Sequence, residues 1–320
     1  MLIFASALAA IIPMVAYLIF IWWFDRYNRE PFKLVLQNYL WGSIGAIIFA
    51  FLGGAIFSSI LLRFVTSEAQ LEYLGTVIIA PVVEEFTKGM FLLITVTNRK
   101  FDNMTDGIVY GGAIGLGFGM TENFLYFISY GTSVPNWIAI VIIRTLFSAV
   151  MHCVATATFG AFLGYAKFKN LSYKIFFPII GITLAILIHF SWNFMVSYKS
   201  TAILGFMFML ITIIIFIAVF AASVMSERRI IFEELTGEAD MGLIPKDHPE
   251  ILSSKQRNMP GWIDEKIRKT YIKAATTLAF RKVQWKSSKG KSKLFYEYDI
   301  NNYREFLQNL LSSNTPNGKV

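Results

Sequence analysis

Apolar runs of about 20 residues or more recur along the first 225 positions, the length needed to cross a ~30 Å hydrocarbon core. The pattern predicts seven membrane-spanning helices, at about 2–24, 37–62, 74–97, 107–130, 137–165, 175–198 and 202–225. In the third and fourth of these, glycine and charged residues dilute the apolar signal. After Val224 no run is long enough to span. A loop-like stretch with Gly237, Gly242, Pro245 and Pro249 precedes a helical pattern from Trp262 to about Trp285. The expected fold is an all-α polytopic membrane protein, with a transmembrane domain over 1–225 and a small cytosolic C-terminal region over 226–320.

Composition agrees. Of the 320 residues, 55% are hydrophobic and only 16% charged, which excludes an ordinary soluble enzyme. The first run has no Lys or Arg before it, while Arg26, Arg29 and Lys33 follow it; this favours a retained span over a cleaved signal peptide. Alternate loops hold Arg99 with Lys100 and Lys167, Lys169 with Lys174, against single charges at Arg63 and Lys199. The positive-inside rule then puts the N-terminus outside and the C-terminus in the cytoplasm. The tail carries 17 Lys/Arg against 12 Asp/Glu. Its block Arg281, Lys282, Lys286, Lys289, Lys291 and Lys293 either rests on anionic membrane lipids or forms a solvated basic face. No zinc-ligand spacing, phosphate loop or RNA-binding signature is present there, so no nucleic acid partner is expected. The sole cysteine, Cys153, excludes a disulfide framework.

Against this background the polar groups inside the spans stand out. Glu84 and Glu85 sit mid-run in the third segment, where an ionised carboxylate costs roughly 2.5–3.5 kcal/mol at a bilayer centre. Lys88, Glu122, Arg144, His152 and His189 join them in other spans. Residues four apart share a helix face. One such row reads Arg144, Ser148, His152, Thr156, Gly160, Gly164; another reads Gly181, Ala185, His189, Asn193, Ser197. Thr76, Ala80, Glu84 and Lys88 form a third, and Gly111, Gly115 and Gly119 lead to Asn123 with Glu122 beside it. Small residues at that spacing let helices approach closely in lipid. The ionisable groups also fall near the middle of their spans, so the four faces are expected to build one interior.

Several of these residues have a structural reading as well. Lys88 either serves the chemistry or merely pairs with Glu84 and Glu85. Arg144 either snorkels or neutralises a buried carboxylate. A lone intramembrane histidine is often an interhelical contact. Two histidines with polar partners four residues on, beside three carboxylates, favour function. Cys153 and Ser148 read as packing residues.

Intramembrane hydrolysis comes in a few chemical types. Gly-x-Ser-Gly is absent, Asp102 and Asp106 lack the Gly-x-Gly-Asp context, and neither His152 nor His189 begins His-Glu-x-x-His. A carboxylate acting with histidines and an amide remains: Glu can take a proton from water, His can pass it on, and Asn can stabilise the oxyanion.

Four motifs carry a resemblance. Glu84-Glu85-Phe86-Thr87-Lys88 is E-E-x-x-K, Phe118 to Asn123 is F-x-x-x-E-N, His152 begins a third, and His189 to Asn193 is H-x-x-x-N. In order and placement the chain resembles the PrsW family of bacterial intramembrane proteases, within the superfamily of CAAX prenyl endopeptidases and bacteriocin-processing proteins. The resemblance covers about residues 1–235. It implies a multi-pass protein of the bacterial cell membrane that cleaves membrane-anchored protein substrates, an anti-sigma factor among them. It also implies Glu84, Glu85, His152, Glu122, His189 and Asn193 as the catalytic set, with Lys88, Asn123, Thr156 and Arg144 in support. Prenylated substrates are not implied, because Glu122 stands where the prenyl endopeptidases have histidine.

A metal remains open at this point. Glu84, His152 and His189 could hold Zn²⁺ with a free position for water. No single helix supplies two ligands at i, i+4, which favours a glutamic-type mechanism without a cofactor. The alternative from another class is a proton-coupled transporter, or a non-proteolytic immunity or signalling membrane protein. A transporter predicts paired interrupted helices, and Pro81 has no symmetrical counterpart. The residues do not specify the oligomeric state.

Overall fold

The computed structural model describes residues 2–313, and no strand occurs among them. Helix α1 spans Leu2–Phe24, α2 Phe32–Leu61, α3 residues 68–95, α4 Met104–Tyr130, α5 Val134–Ala166, α6 Leu171–Val196 and α7 Ala202–Asp240. A short α8 (His248–Leu252), α9 (Glu265–Ser287) and α10 (Gly290–Ser312) follow. The chain forms two compact units. Of the described residues, one holds those up to Asp25 together with Glu30–Phe220; the other holds Arg26–Arg29 with those from Ala221 to Ser313.

Helices α1, α2, α5, α6 and α7 are long and apolar enough to cross a membrane by length and composition. The expected third and fourth spans form α3 and α4, which fall short of that measure. Glu84, Glu85 and Lys88 sit close together in α3, and glycines dilute α4. Two further boundaries differ from the pattern. Helix α7 runs on to Asp240, so Gly237 lies inside a helix rather than a loop. The turn comes at Gly242 (φ 75°), where the Leu243 N–H reaches back to the Glu238 carbonyl. Helix α10 has no counterpart in the expected elements.

Helix α4 is the centre of the first unit, buried on nearly every side from Thr105 to Gly119. Its glycines explain this. A Cβ on Gly107, Gly111 or Gly115 would lie 1.9, 2.5 or 2.2 Å from the carbonyl oxygens of Gly160, Thr156 and His152 on α5. On another side, a Cβ on Gly117 would lie 2.0 Å from the Tyr39 carbonyl oxygen of α2. Backbone therefore packs against backbone, as small residues allow in lipid. Gly115→Ala is expected to lower the thermal midpoint in detergent, overpacking costing about 1–3 kcal/mol. Gly54→Ala should leave the midpoint unchanged, since a Cβ there meets nothing within 4 Å. Matching midpoints for the two variants would refute the tight seam.

Helices α2, α3 and α5 each contain a π-helical turn, at Trp41–Ala46, Gly75–Ile79 and Arg144–Ser148. Such turns re-aim the residues that follow, and two of them hold the first members of the polar rows, Thr76 on α3 and Arg144 with Ser148 on α5. Helix α2 clamps α3 through Trp41, whose indole N–H donates to the Thr87 carbonyl at 3.1 Å while its ring stacks on Phe91. The Thr95 hydroxyl adds a 2.9 Å bond to Asn38.

The second unit has its own core, in which Ile231 and Leu235 of α7 pack with Leu252, Tyr271, Leu278 and Leu307. Burial lowers the His248 imidazole below its ordinary range, so it stays neutral beside the Tyr271 hydroxyl at 2.8 Å. Glu238, fully buried, is held by a bidentate Arg304 and by Lys282 at 2.7 Å.

Candidate active site

Glu84, Glu85 and Lys88 point to one side of α3 because residues three and four apart share a face. Glu85 is 1% exposed, and both of its oxygens have partners. Oε1 accepts from Lys88 Nζ at 2.7 Å and lies 3.0 Å from His189 Nδ1; Oε2 accepts from the Thr156 hydroxyl at 3.0 Å. Glu84 is different. Its Oε2 is buried and makes no hydrogen bond, with Lys88 Nζ at 3.5 Å and His189 Nε2 at 3.9 Å.

The two histidines are wired in opposite senses. His152 Nδ1 lies 2.9 Å from Lys88 Nζ, and its Nε2 lies 2.8 Å from Glu122 Oε2. A lysine ammonium only donates, so Nδ1 accepts, and Nε2 carries the proton and donates to Glu122. His189 instead turns Nδ1 to the Glu85 carboxylate and must donate there, which leaves the Nε2 lone pair facing Glu84. The rings meet edge to face with centroids 4.8 Å apart.

Arg144 pairs with Glu122, donates from Nε to Asn123 Oδ1 at 3.0 Å and lies over the Tyr126 ring. Of its two sequence readings, neutralising a buried carboxylate is the one the structure realises. Glu84, Glu122, Arg144, His152, His189 and Asn193 all line one polar chamber of about 320 Å³. The four expected faces thus meet. Three carboxylates face two cations, Lys88 and Arg144, so with neutral histidines the cluster lacks one positive charge.

Three details differ from the sequence pattern. The Thr156 hydroxyl serves Glu85 across the helix interface and not its own-helix neighbour His152. Asn193 Nδ2 donates to the Thr76 carbonyl at 2.9 Å, tying α6 to the π turn of α3. Ser148, read as packing, lines the chamber. Tyr126 was not anticipated, although its place four residues after Glu122 signals a shared face. Asp102 and Asp106 stand apart at the start of α4, where Asp106 closes a capping box with Asn103.

The donor set fits a divalent metal in part. Glu84, His152 and His189 each offer one ligand atom, all within 4.8 Å of one another. The orphaned Glu84 oxygen is a ready ligand, and a carboxylate behind Nδ1 is how metal-binding histidines are oriented, as Glu85 orients His189. His152 could join only in its other tautomer, because its Nε2 proton is committed to Glu122.

Comparison with known proteins gives one family. The family model described as "PrsW family intramembrane metalloprotease" matches residues 30–222. Protease PrsW of Bacillus subtilis is 26% identical over 201 residues, 62% of this chain and 85% of that protein. Protease PrsW of Oceanobacillus iheyensis is 29% identical over 194 residues, 60% of this chain and 83% of that protein. Protease PrsW of Clostridioides difficile is 27% identical over 209 residues, 64% of this chain and 85% of that protein. No solved structure matches the chain.

Proposed function

Because this chain belongs to the PrsW family of intramembrane proteases, we propose that it cleaves membrane-anchored protein substrates with water activated by Glu84. An anti-sigma factor is the substrate class that the family resemblance brings forward. The observation that carries the mechanism is the asymmetry of the adjacent pair: Glu85 is fully hydrogen-bonded, while Glu84 keeps a buried oxygen without a bond at the chamber wall. A free carboxylate oxygen is what a general base needs.

In this reading Glu84 takes a proton from water, and the resulting hydroxide adds to the scissile carbonyl carbon. Asn193 and Arg144 stabilise the oxyanion from the chamber wall. His189 Nε2, held in the accepting tautomer by Glu85, passes the proton from Glu84 to the leaving amine as the C–N bond breaks. Glu85 acts as a positioning residue, in the way that the carboxylate of a catalytic triad fixes its histidine.

A second reading is favoured by the Glu84–His152–His189 grouping. There Glu84 and His189 would hold a zinc ion, with His152 in its other tautomer. Zinc supplies a Lewis acid and a more acidic bound water.

We further propose seven spans, with the N-terminus outside and the chain beyond α7's membrane segment in the cytoplasm. For α3 this rests on its outer face, where Phe86, Met90, Leu93 and Ile94 are exposed and apolar, suited to lipid, while Glu84 lines the chamber and Glu85 and Lys88 are buried. For α4 it rests on burial among other helices.

Purified protein in liposomes, incubated with a tethered single-span reporter, tests the function. Wild type should release cleavage fragments, and His189→Ala, which removes the proton carrier of this reading, should slow release at least about 10²-fold. Equal cleavage by both would overturn the site, and an intact reporter throughout would favour a non-proteolytic role. Elemental analysis with chelation separates the two readings: one zinc per chain, and activity lost on its removal, selects the second.

A further inference from the structure

A second cavity in the first unit, of about 630 Å³, lies between α2, α3 and α4. Its walls are apolar, with Ile47 and Phe51 from α2, Val83 from α3 and Leu125 from α4 among them. Among the described residues, the only charged ones lining it are Glu84 and Glu122. These two, with Gly75, Ala80 and Tyr126, also line the polar chamber. The two spaces therefore share a wall that carries the proposed base.

Two glycines set the groove's width. A Cβ on Gly54 or on Gly75 meets nothing within 4 Å, whereas one on neighbouring Gly53 would press on Val83 at 2.6 Å. Gly53 lets helices touch; Gly54 and Gly75 keep space open. One helical turn, ~10 Å across and 5.4 Å high, fills about 420 Å³. The groove thus takes a short segment of between one and two turns, far less than a spanning helix. Away from Glu84 and Glu122, a charged side chain in the groove would be buried without a partner, so the occupant must be apolar over that part of its length.

We propose that this groove binds a short apolar segment of the substrate polypeptide next to the scissile bond, with Gly54 and Gly75 leaving room for a large side chain. The proposal rests on the protease reading and extends it to substrate selection. Continuity with the chamber argues for the substrate chain over a lipid acyl chain, since whatever lies in the groove abuts Glu84.

The test uses the full-length protein in liposomes and two reporters, differing by Phe or Ala at the residue next to the mapped cleavage site. Gly54→Leu, which fills open space, should raise KM for the Phe reporter at least tenfold more than for the Ala reporter. An unchanged Phe-to-Ala ratio in a variant with a wild-type thermal midpoint overturns the proposal. A photocrosslinker at Ser58, which lines the groove, gives a readout independent of cleavage. In a Glu84→Gln background it should capture the reporter, while one at lipid-facing Ile211 should not. Capture of lipid alone at Ser58 overturns the groove even where wild type cleaves. Capture of the reporter without cleavage by wild type sinks the protease reading and supports the groove.

Discussion

Glu84→Gln should cut kcat for reporter cleavage by about 10²–10⁴-fold, the range that a positioned base contributes, with KM and thermal midpoint close to wild type. Glutamine keeps the shape of the side chain, and the lost oxygen makes no hydrogen bond in the folded protein. Glu85→Gln should behave differently. It removes the charge that Lys88, His189 and Thr156 converge on, and breaking a buried ion pair costs about 3–5 kcal/mol. Activity and stability should therefore fall together. The pair of variants, read by steady-state cleavage and thermal unfolding, separates base from scaffold. Wild-type kcat in Glu84→Gln would remove it from the mechanism, and a reversed stability pattern would exchange the two roles.

Lys88→Met should be the most destabilising single change in the chamber. Lys88 is completely buried, 2.7 Å from Glu85 and 2.9 Å from His152, with the Phe118 ring beneath it. Without it Glu85 becomes an uncompensated buried charge, at a cost of about 3–5 kcal/mol. The double variant Lys88→Met with Glu85→Gln should recover most of the thermal midpoint, since no buried charge is then left alone. Cleavage should not recover, because the carboxylate that holds the His189 tautomer is gone as well. Recovery of both would reduce Lys88 and Glu85 to ion-pair partners. Arginine should not substitute, its planar fork being larger and differently directed than an ammonium.

The polar set was legible in the sequence because each member is expensive in an apolar run, and period-four rows named the faces that meet. The pairing of those groups was not legible. Helical spacing suggests partners on the same helix, so Thr156 reads as a companion of His152 and Asn193 of His189. In the folded chain both reach to α3, since an interface rewards bonds that join helices. Nor does spacing reveal that the two imidazoles are held in opposite tautomers, which depends on whether Lys88 or Glu85 stands behind Nδ1. Hydropathy understates α4 for a physical reason: glycine contributes little apolar surface, yet it permits the deepest burial. The continuation of α7 past Gly237 was missed because one glycine weakens a helix by only about 1 kcal/mol.

The seam between α4 and α5 runs main chain against main chain, and Gly115 abuts the carbonyl of His152 itself. The backbone spacing between the helices that carry Glu122 and His152 is therefore set by a rigid template. The outward-facing residues of the bundle are left free to drift or to be redesigned. A protein engineer could retune that exterior for thinner or thicker bilayers and carry the reaction centre along undisturbed.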